Sequence, residues 1–143
     1  MKTRDATAAD IDFLANTFLR AMRPYITAAR GSWDQVKEDR QFREQLHLSS
    51  TRIILDEGNS VGFYMTRDEG HDLELHTLCI VPEYQRHGLG TAVVRQIIAQ
   101  AQKSKRGVAL SVLKANLGAR LLYQRLEFVV ISETDHHYRM RLE

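Results

Sequence analysis

Cysteine, proline and long apolar runs are scarce in this chain of 143 residues. The single Cys79 excludes an internal disulfide and a four-cysteine zinc site, and it favours a reducing, cytoplasmic location. No apolar run is longer than four residues (Leu78 to Val81 is one), whereas a membrane-spanning helix needs about 20. Met1 to Ala6 have no apolar run behind them and are not expected to be a secretory signal. With two prolines and no linker-like segment, residues 1–143 are expected to form one domain.

The chain also lacks a large excess of charge of one sign, because it has 20 Lys and Arg and 18 Asp and Glu. This balance does not indicate a nucleic-acid or membrane partner. A small basic nucleic-acid binder is a distant alternative, since neither a basic helix nor an aromatic stacking motif is visible.

Hydrophobic periodicity predicts helices and strands along the whole chain. After an edge strand at 2–6, a helix is expected to begin at the Thr7 to Asp10 cap motif and to end before Pro24; a second, largely exposed helix follows a Ser32 cap. The later segments are predicted as strands 52–57, 61–66, 73–81, 107–113, 128–131 and 138–142, with helices 88–104 and 116–126. The order β-α-α-β-β-β-α-β-α-β-β predicts an α/β (α+β) mixed sheet with helices on its faces, in three layers.

The most informative segment runs from Leu73 to Val94, where a strand ends at Pro82 and Gly88-Leu89-Gly90 opens a helix. Free N–H groups at the helix start and two glycines favour binding of a phosphate or pyrophosphate, with Arg86 and His87 as further donors. The loop lacks the lysine of a Walker A motif and the third glycine of a dinucleotide motif. A plain glycine-rich helix start also fits the pattern.

Two segments resemble the GNAT superfamily of N-acetyltransferases. Pro82-Glu83-Tyr84-Gln85-Arg86-His87-Gly88-Leu89-Gly90-Thr91 is similar to the family's acetyl-CoA-binding signature. A second segment, similar to the family's Asn-x-x-Ala-x-x-x-Tyr…Phe pattern, contains Asn116, Ala119, Tyr123 and Phe128. The element order agrees as well, so the resemblance covers Lys2 to Leu142. Glu127 departs from it, because many relatives carry Gly there, and this predicts a strained or reshaped turn.

The resemblance implies a GNAT-like three-layer fold with splayed central strands and acetyl-CoA as cosubstrate. It implies that pantetheine pairs with the backbone of Leu78, Cys79 and Ile80. It implies that the pyrophosphate is held by Arg86, His87, Gly88, Leu89, Gly90 and Thr91. Asn116 then contacts the cofactor and Tyr123 lies near the CoA sulfur. Relatives are often dimers, which favours a homodimer.

Acetyl transfer to a primary amine in a ternary complex requires a neutral amine, donors for the oxyanion and a proton for the leaving thiolate. Tyr123 is the candidate general acid, although a packing tyrosine fits the same position. Strand alternation places one set of residues on a single face: Asp72, Glu74, His76, Leu78 and Ile80. The opposite face then carries Leu73, Leu75, Thr77 and Cys79. Glu74 is the first candidate base and His76 the second, while an acceptor bound as the neutral amine needs neither.

Cys79 and the histidines suggest two other kinds of site, a nucleophile and a metal centre. Cys79 has no adjacent base and is expected to be an inert core residue. His136 and His137 are adjacent and are expected to point to opposite faces of a strand, so no metal is predicted.

The acceptor pocket is expected between the first two helices, in the region 22–33. Its expected walls are Tyr25, Trp33 and Tyr138, although ordinary packing explains each aromatic residue equally well. Three carboxylates are expected to make the cleft negative and to favour a cationic amine: Asp34, Asp72 and Glu74. Aminoglycosides, polyamines, amino-acid derivatives and peptide N-termini all remain candidates. The alternative function is a non-catalytic acyl-CoA-binding sensor, which binds acetyl-CoA but releases no thiol.

Overall fold

The computed structural model describes residues 1–143, and its elements follow the predicted order β-α-α-β-β-β-α-β-α-β-β. The strands are β1 (Lys2–Asp5), β2 (Thr51–Asp56), β3 (Asn59–Asp68), β4 (Asp72–Ile80), β5 (Gly107–Leu113), β6 (Val129–Glu133) and β7 (His137–Leu142). The helices are α1 (Ile11–Arg30), α2 (Gln35–Gln45), α3 (Leu89–Lys103) and α4 (Leu117–Arg125). None of these helices is both long enough and apolar enough to cross a membrane.

The seven strands form one mixed sheet in the order β1-β2-β3-β4-β5-β7-β6. Every neighbouring pair is antiparallel except β4 and β5, which are parallel. Only Asp72 to Leu75 of β4 pair with Gly107 to Leu110 of β5. Because β4 continues to Ile80 and β5 to Leu113, the two strands separate beyond this point. The predicted splay of the central strands is therefore confirmed.

Helices cover both faces of the sheet and enclose two hydrophobic cores. On one face α1 and α2 pack their apolar side chains, such as Leu14 and Phe42, against Ile53 and Phe63 of the sheet. On the other face α3 and α4 bury residues such as Ile97 against Leu110 and Met140. The result is the predicted three-layer arrangement.

A β-bulge at His76 overturns the predicted faces of β4. Met65 of β3 pairs with Thr77, but the next residue, Thr66, pairs with Leu75, so His76 is an extra residue without a partner. An extra residue reverses the alternation of the side chains beyond it. The side chains of Leu73, Leu75, Leu78 and Ile80 consequently pack with the α3/α4 core, whereas Cys79 packs with the α1/α2 core. The prediction that Leu78 and Ile80 share a face with Glu74 was wrong.

Pro24 does not end the first helix, contrary to the prediction. The helix α1 continues to Arg30: Ala21, before Pro24, packs in the α1/α2 core, and Ile26, after it, is also buried. It ends at Gly31, which adopts the left-handed conformation (φ +77°) and donates its N–H to the carbonyl of Thr27 at 2.7 Å.

The cap of α2 also differs from the prediction. Its N-cap is Asp34, whose side chain accepts the N–H of Lys37 at 3.1 Å, rather than Ser32. The expected exposure of α2 is confirmed, because only Glu38 and Phe42 of this helix are buried.

Candidate active site

Two cavities lie beside the gap between β4 and β5. The first, of about 530 Å³, is bordered by the second half of α1, by β4 and β5, and by the turn before β7. We call it the acceptor-side cavity. The second, of about 610 Å³, is bordered by α1, the end of β4, the loop before α3, and α4. We call it the loop-side cavity. The two share the lining residues Met22, Leu78, Asn116, Ala119 and Tyr123. They therefore meet at the splay of the central strands.

The loop before α3 and the first residues of α3 line the loop-side cavity through Arg86, Gly88, Leu89, Gly90 and Thr91. Arg86 and Gly88 both adopt positive φ angles, +66° and +79°, which turn the chain sharply into the helix. His87 is exposed and lines neither cavity.

The amides at the start of α3 are available to a ligand. The first helical hydrogen bond of α3 runs from the N–H of Ala92 to the carbonyl of Gly88. The N–H groups of Leu89, Gly90 and Thr91 precede it and have no helical acceptor, so the positive end of the helix dipole faces the loop-side cavity. These donors suit an anion.

Gly90 has a structural role that the sequence did not suggest. A Cβ atom at this position would lie 3.2 Å from Cδ1 of Leu122 in α4. Glycine therefore permits the close packing of α3 against α4 beside the loop-side cavity, in addition to leaving the backbone accessible.

Tyr123 stands where the two cavities meet. Its side chain is 8% exposed, and burial raises the pKa of its phenol, which stays protonated at neutral pH. The turn after α4 fixes its position: Phe128 donates its N–H to the carbonyl of Tyr123 at 3.0 Å, and Glu127 donates its own to Gln124 at 3.0 Å. These two bonds form a Schellman motif, and the rings of Tyr123 and Phe128 pack with centroids 5.6 Å apart.

Glu127 occupies the left-handed position of that motif, with φ +74°. The strained turn that the sequence predicted at this residue is confirmed, because a side chain is disfavoured in this conformation. The backbone strain lies at the turn that orients Tyr123.

Glu74 and Asp72, which the sequence placed in a negative cleft, are both paired with arginines of β7. Both oxygens of Glu74 accept from Arg139 at 2.6 Å, and both oxygens of Asp72 accept from Arg141 at 2.7 and 2.9 Å. The guanidinium of Arg141 lowers the pKa of Asp72. The expectation that these two carboxylates make the cleft negative was therefore wrong, because an arginine compensates the charge of each one.

His76 lies at the bulge and lines the acceptor-side cavity together with Glu74. Its Nδ1 lies 3.0 Å from Oγ1 of Thr77. Partial burial and the cation of Arg67 lower the pKa of His76, so the ring is neutral at neutral pH and has a nitrogen able to accept a proton.

Cys79 is 2% exposed, and burial raises the pKa of its thiol to about 12. The thiol stays protonated at neutral pH, which agrees with the predicted role of a core residue. No group of three or more His, Cys, Asp or Glu side chains lies close enough together to hold a metal ion.

The three aromatic residues predicted as acceptor walls lie elsewhere. Tyr25 lines the loop-side cavity rather than the acceptor side. Trp33 lines neither cavity; its Nε1 donates to Gln35 at 2.8 Å, and the guanidinium of Arg23 lies 5.7 Å from its ring centroid. Tyr138 also lines neither cavity, because it packs with the α3/α4 core, with Lys114 and Arg120 over its ring.

The acceptor-side cavity has walls that the sequence did not reveal. Apolar side chains of α1 form one side: Phe18, Met22, Ile26 and Ala29. Arg30 joins them because α1 continues past Pro24. His136 and His137 both line this cavity, contrary to the expectation of opposite faces, because His136 lies in the turn before β7.

Solved structures share this fold along almost the whole chain. The PaiA N-acetyltransferase from Thermoplasma acidophilum, in complex with coenzyme A, has a TM-score of 0.82 and 17% identity, over 99% of this chain and 98% of that one. The ribosomal-protein-S18-alanine N-acetyltransferase from Escherichia coli has a TM-score of 0.74 and 19% identity, over 99% and 92%. Naa20 from Chaetomium thermophilum, in complex with a bisubstrate analogue, has a TM-score of 0.65 and 16% identity, over 99% and 85%. At these identities the likeness establishes the fold.

No curated protein sequence matches the chain significantly. The family is established by a separate comparison, in which residues 16–128 match the acetyltransferase (GNAT) family. That match spans most of the chain, including the loop before α3 and the position of Tyr123. The chain therefore belongs to the GNAT acetyltransferase family and is an acyltransferase.

Proposed function

We propose that this enzyme transfers the acetyl group of acetyl-CoA directly to a primary amine of a small molecule or peptide, with both substrates bound to one domain, residues 1–143. One observation carries the proposal: the loop-side and acceptor-side cavities meet at Tyr123, in the gap between β4 and β5. Two substrates that enter from different cavities would bring their reacting groups together there, which favours direct transfer.

The loop-side cavity fits acetyl-CoA. The free amides of Leu89, Gly90 and Thr91 suit a pyrophosphate, and the side chains of Arg86 and Arg125 add positive charge to the same cavity. The backbone of Leu78, Cys79 and Ile80, beyond the last residue paired with β5, is available to pantetheine, although the carbonyl of Ile80 already accepts Nε2 of Gln85 at 3.0 Å. Asn116 lines both cavities, but its side chain also accepts the N–H of Ala119 at 3.1 Å as the cap of α4.

When bound, acetyl-CoA supplies the activated thioester. Tyr123 is proposed to donate its phenolic proton to the departing sulfur. Its position at the junction supports this role, and its raised pKa keeps the phenol in the protonated form that a general acid needs. Backbone N–H groups in the open part of β4 are proposed to stabilise the negative charge on the acetyl oxygen.

The proton of the attacking amine is proposed to go to His76. Glu74 lines the same cavity, but the bidentate ion pair with Arg139 occupies both carboxylate oxygens, so neither is free to take up the proton. The ring of His76 is neutral and partly exposed beside the cavity. His76→Gln should therefore lower kcat most at a pH where little of the amine is neutral, while Glu74→Gln should lower it less.

Two measurements on the purified chain test the proposal. Calorimetry should detect acetyl-CoA binding, and a thiol-release assay over a panel of primary amines should detect free CoA that depends on the amine. Binding without CoA release for any amine would favour the non-catalytic sensor. Absence of binding would refute the assignment of the loop-side cavity.

A further inference from the structure

The acceptor-side cavity offers no unpaired negative charge. Glu74 is the only carboxylate among its 19 lining residues, and both of its oxygens accept from Arg139 at 2.6 Å. A second ammonium group on an acceptor would therefore enter the cavity without an anionic partner, which is unfavourable in a partly buried site.

Cationic and hydrogen-bond-donating side chains line the same cavity. Arg30 uses Nη1 to bind Oε1 of Glu38 at 2.7 Å, which leaves other N–H donors of its guanidinium free. His136 reaches the cavity from the turn before β7, His137 from the start of β7, and His76 from the bulge. Burial lowers the pKa of His137, and His136 and Arg30 lower it further, so the ring is neutral and can donate one N–H to a carboxylate.

The rest of the cavity is mostly apolar. Phe18, Met22 and Ile26 of α1 stand on one side, and Leu110 and Val112 of β5 on the other. These surfaces suit a compact aliphatic or aromatic body on the acceptor.

We propose that the acceptor is a compact amine that carries a carboxylate, as amino acids do, and that this carboxylate binds at Arg30 and His137. The inference rests on the proposed acetyl transfer and identifies the class of its amine substrate. An apolar body between α1 and β5 orients the acceptor, and the pairing of its carboxylate with Arg30 directs the amine toward Tyr123. Polyamines and aminoglycosides, which bring several positive charges, would find no unpaired carboxylate in this cavity and are not expected as acceptors.

The test compares acids with their own amides. CoA release is measured for leucine and leucinamide, phenylalanine and phenylalaninamide, and spermidine, with wild type and with an Arg30→Gln/Glu38→Gln double variant. The double variant removes both partners, because Arg30→Gln alone would leave the buried Glu38 without its cation. The amino group of an amino acid and that of its amide differ in basicity. The decisive quantity is therefore the ratio of variant to wild-type kcat/KM for each acceptor.

The double variant should lower kcat/KM for the acids by about tenfold or more and for the amides by less than about twofold, since only the acids lose a charge-assisted hydrogen bond. Glu38→Gln alone, which keeps Arg30, should retain activity on the acids. Arg40→Gln, which removes an exposed cation of α2 that lines neither cavity, is the matched control and should change nothing. Thermal unfolding confirms that each variant is folded.

Each other outcome has a definite meaning. Equal losses for acids and amides, or CoA release with spermidine or the amides but not with the acids, would overturn the carboxylate-bearing acceptor and leave acetyl transfer intact. If acetyl-CoA binds but no amine releases CoA, the proposed function fails and this inference fails with it.

Discussion

The two halves of the central strand pair, β4 and β5, differ in what holds them. In the half that we call closed, residues 72–75 pair with residues 107–110, and Asp72 and Glu74 each bind an arginine of β7 through two hydrogen bonds. In the half that we call open, from His76 and Ser111 onward, the strands separate and their side chains line the acceptor-side cavity. One pair of strands thus has a closed half that is held by ion pairs and an open half that leaves an accessible gap.

The difference shows how a stable sheet can contain a site. Backbone N–H and C=O groups that no longer pair with a neighbouring strand need other hydrogen-bond partners. In the open half a bound ligand can provide them. The bulge at His76 lies next to Leu75, the last residue of β4 that pairs with β5. The closed half therefore holds the strands in register up to the residue where the geometry changes, and the reacting groups are proposed to meet beyond it.

If the open half carries the chemistry, Tyr123→Phe should have the largest effect. We expect kcat to fall about 100-fold, because general acid catalysis contributes roughly 10²–10⁴ in rate. The affinity for acetyl-CoA should change by less than about twofold, since the ring and its packing against Phe128 are kept. Thiol release gives kcat and calorimetry gives Kd.

The matched control is Tyr64→Phe, which removes the hydroxyl of a buried tyrosine that lines neither cavity. It should leave kcat unchanged. If Tyr123→Phe also keeps kcat within about threefold of the wild type, Tyr123 has only a packing role.

Arg139→Gln breaks the closed half without touching the junction of the cavities. It leaves Glu74, whose side chain is 14% exposed, without its cation, so the free energy of unfolding should fall by about 1–2 kcal/mol. Urea denaturation measures it. The double variant Glu74→Gln/Arg139→Gln should regain most of the loss, because no unpaired charge remains. Equal stability of Arg139→Gln and the wild type would show that the pair does not stabilise the closed half.

The second ion pair of the closed half should depend on pH in a defined direction. Arg141 lowers the pKa of Asp72 in the folded state, so the folded protein binds this proton less readily than the unfolded chain. The stabilisation is complete above the unfolded pKa of about 4 and is lost as the pH falls toward the lower folded value.

The unfolding free energy of wild type should therefore exceed that of Asp72→Asn by about 1 kcal/mol near pH 6, and the difference should shrink below about pH 4. A difference that stays constant down to pH 3 would mean that the Asp72 charge does not contribute. Urea titrations at several pH values separate the two results.

Local patterns predicted the elements well, but they could not predict how distant elements meet. The loop before α3 was identified because its turn residues and the start of the helix are contained in a few consecutive residues, and Tyr123 was identified because a short segment resembles the GNAT pattern. The pairs Glu74–Arg139 and Asp72–Arg141 join residues 65 and 69 positions apart, and they depend on the place of β7 beside β5. Alternating arginines at 139 and 141 were a visible signal, but without the sheet order they had no assigned partners.

Two further errors have the same physical origin. Strict alternation placed Leu78 beside Glu74, because one extra residue at His76 leaves no mark in the pattern of apolar side chains. Pro24 predicted a helix end from local sterics, but the helix continues to Arg30, with Ala21 in the α1/α2 core before the proline and Ile26 buried after it. In both cases tertiary contacts outweighed a local preference, and both errors fell on the acceptor side.

The smallest expected effect tests the turn that holds Tyr123 at the gap. Glu127 adopts φ +74°, a conformation that costs a side chain about 1 kcal/mol and costs glycine little. Glu127→Gly should raise the free energy of unfolding by about 0.5–1 kcal/mol, as measured by urea denaturation, because the relief of strain exceeds the added freedom of the unfolded chain. Turnover should stay unchanged, since both hydrogen bonds of the Schellman motif come from the backbone.

Glu127→Ala keeps the strain and should bring no gain in the free energy of unfolding. A loss of stability in Glu127→Gly would instead show that the glutamate side chain itself stabilises the turn, and the position of Tyr123 would then depend on that side chain as well as on the backbone.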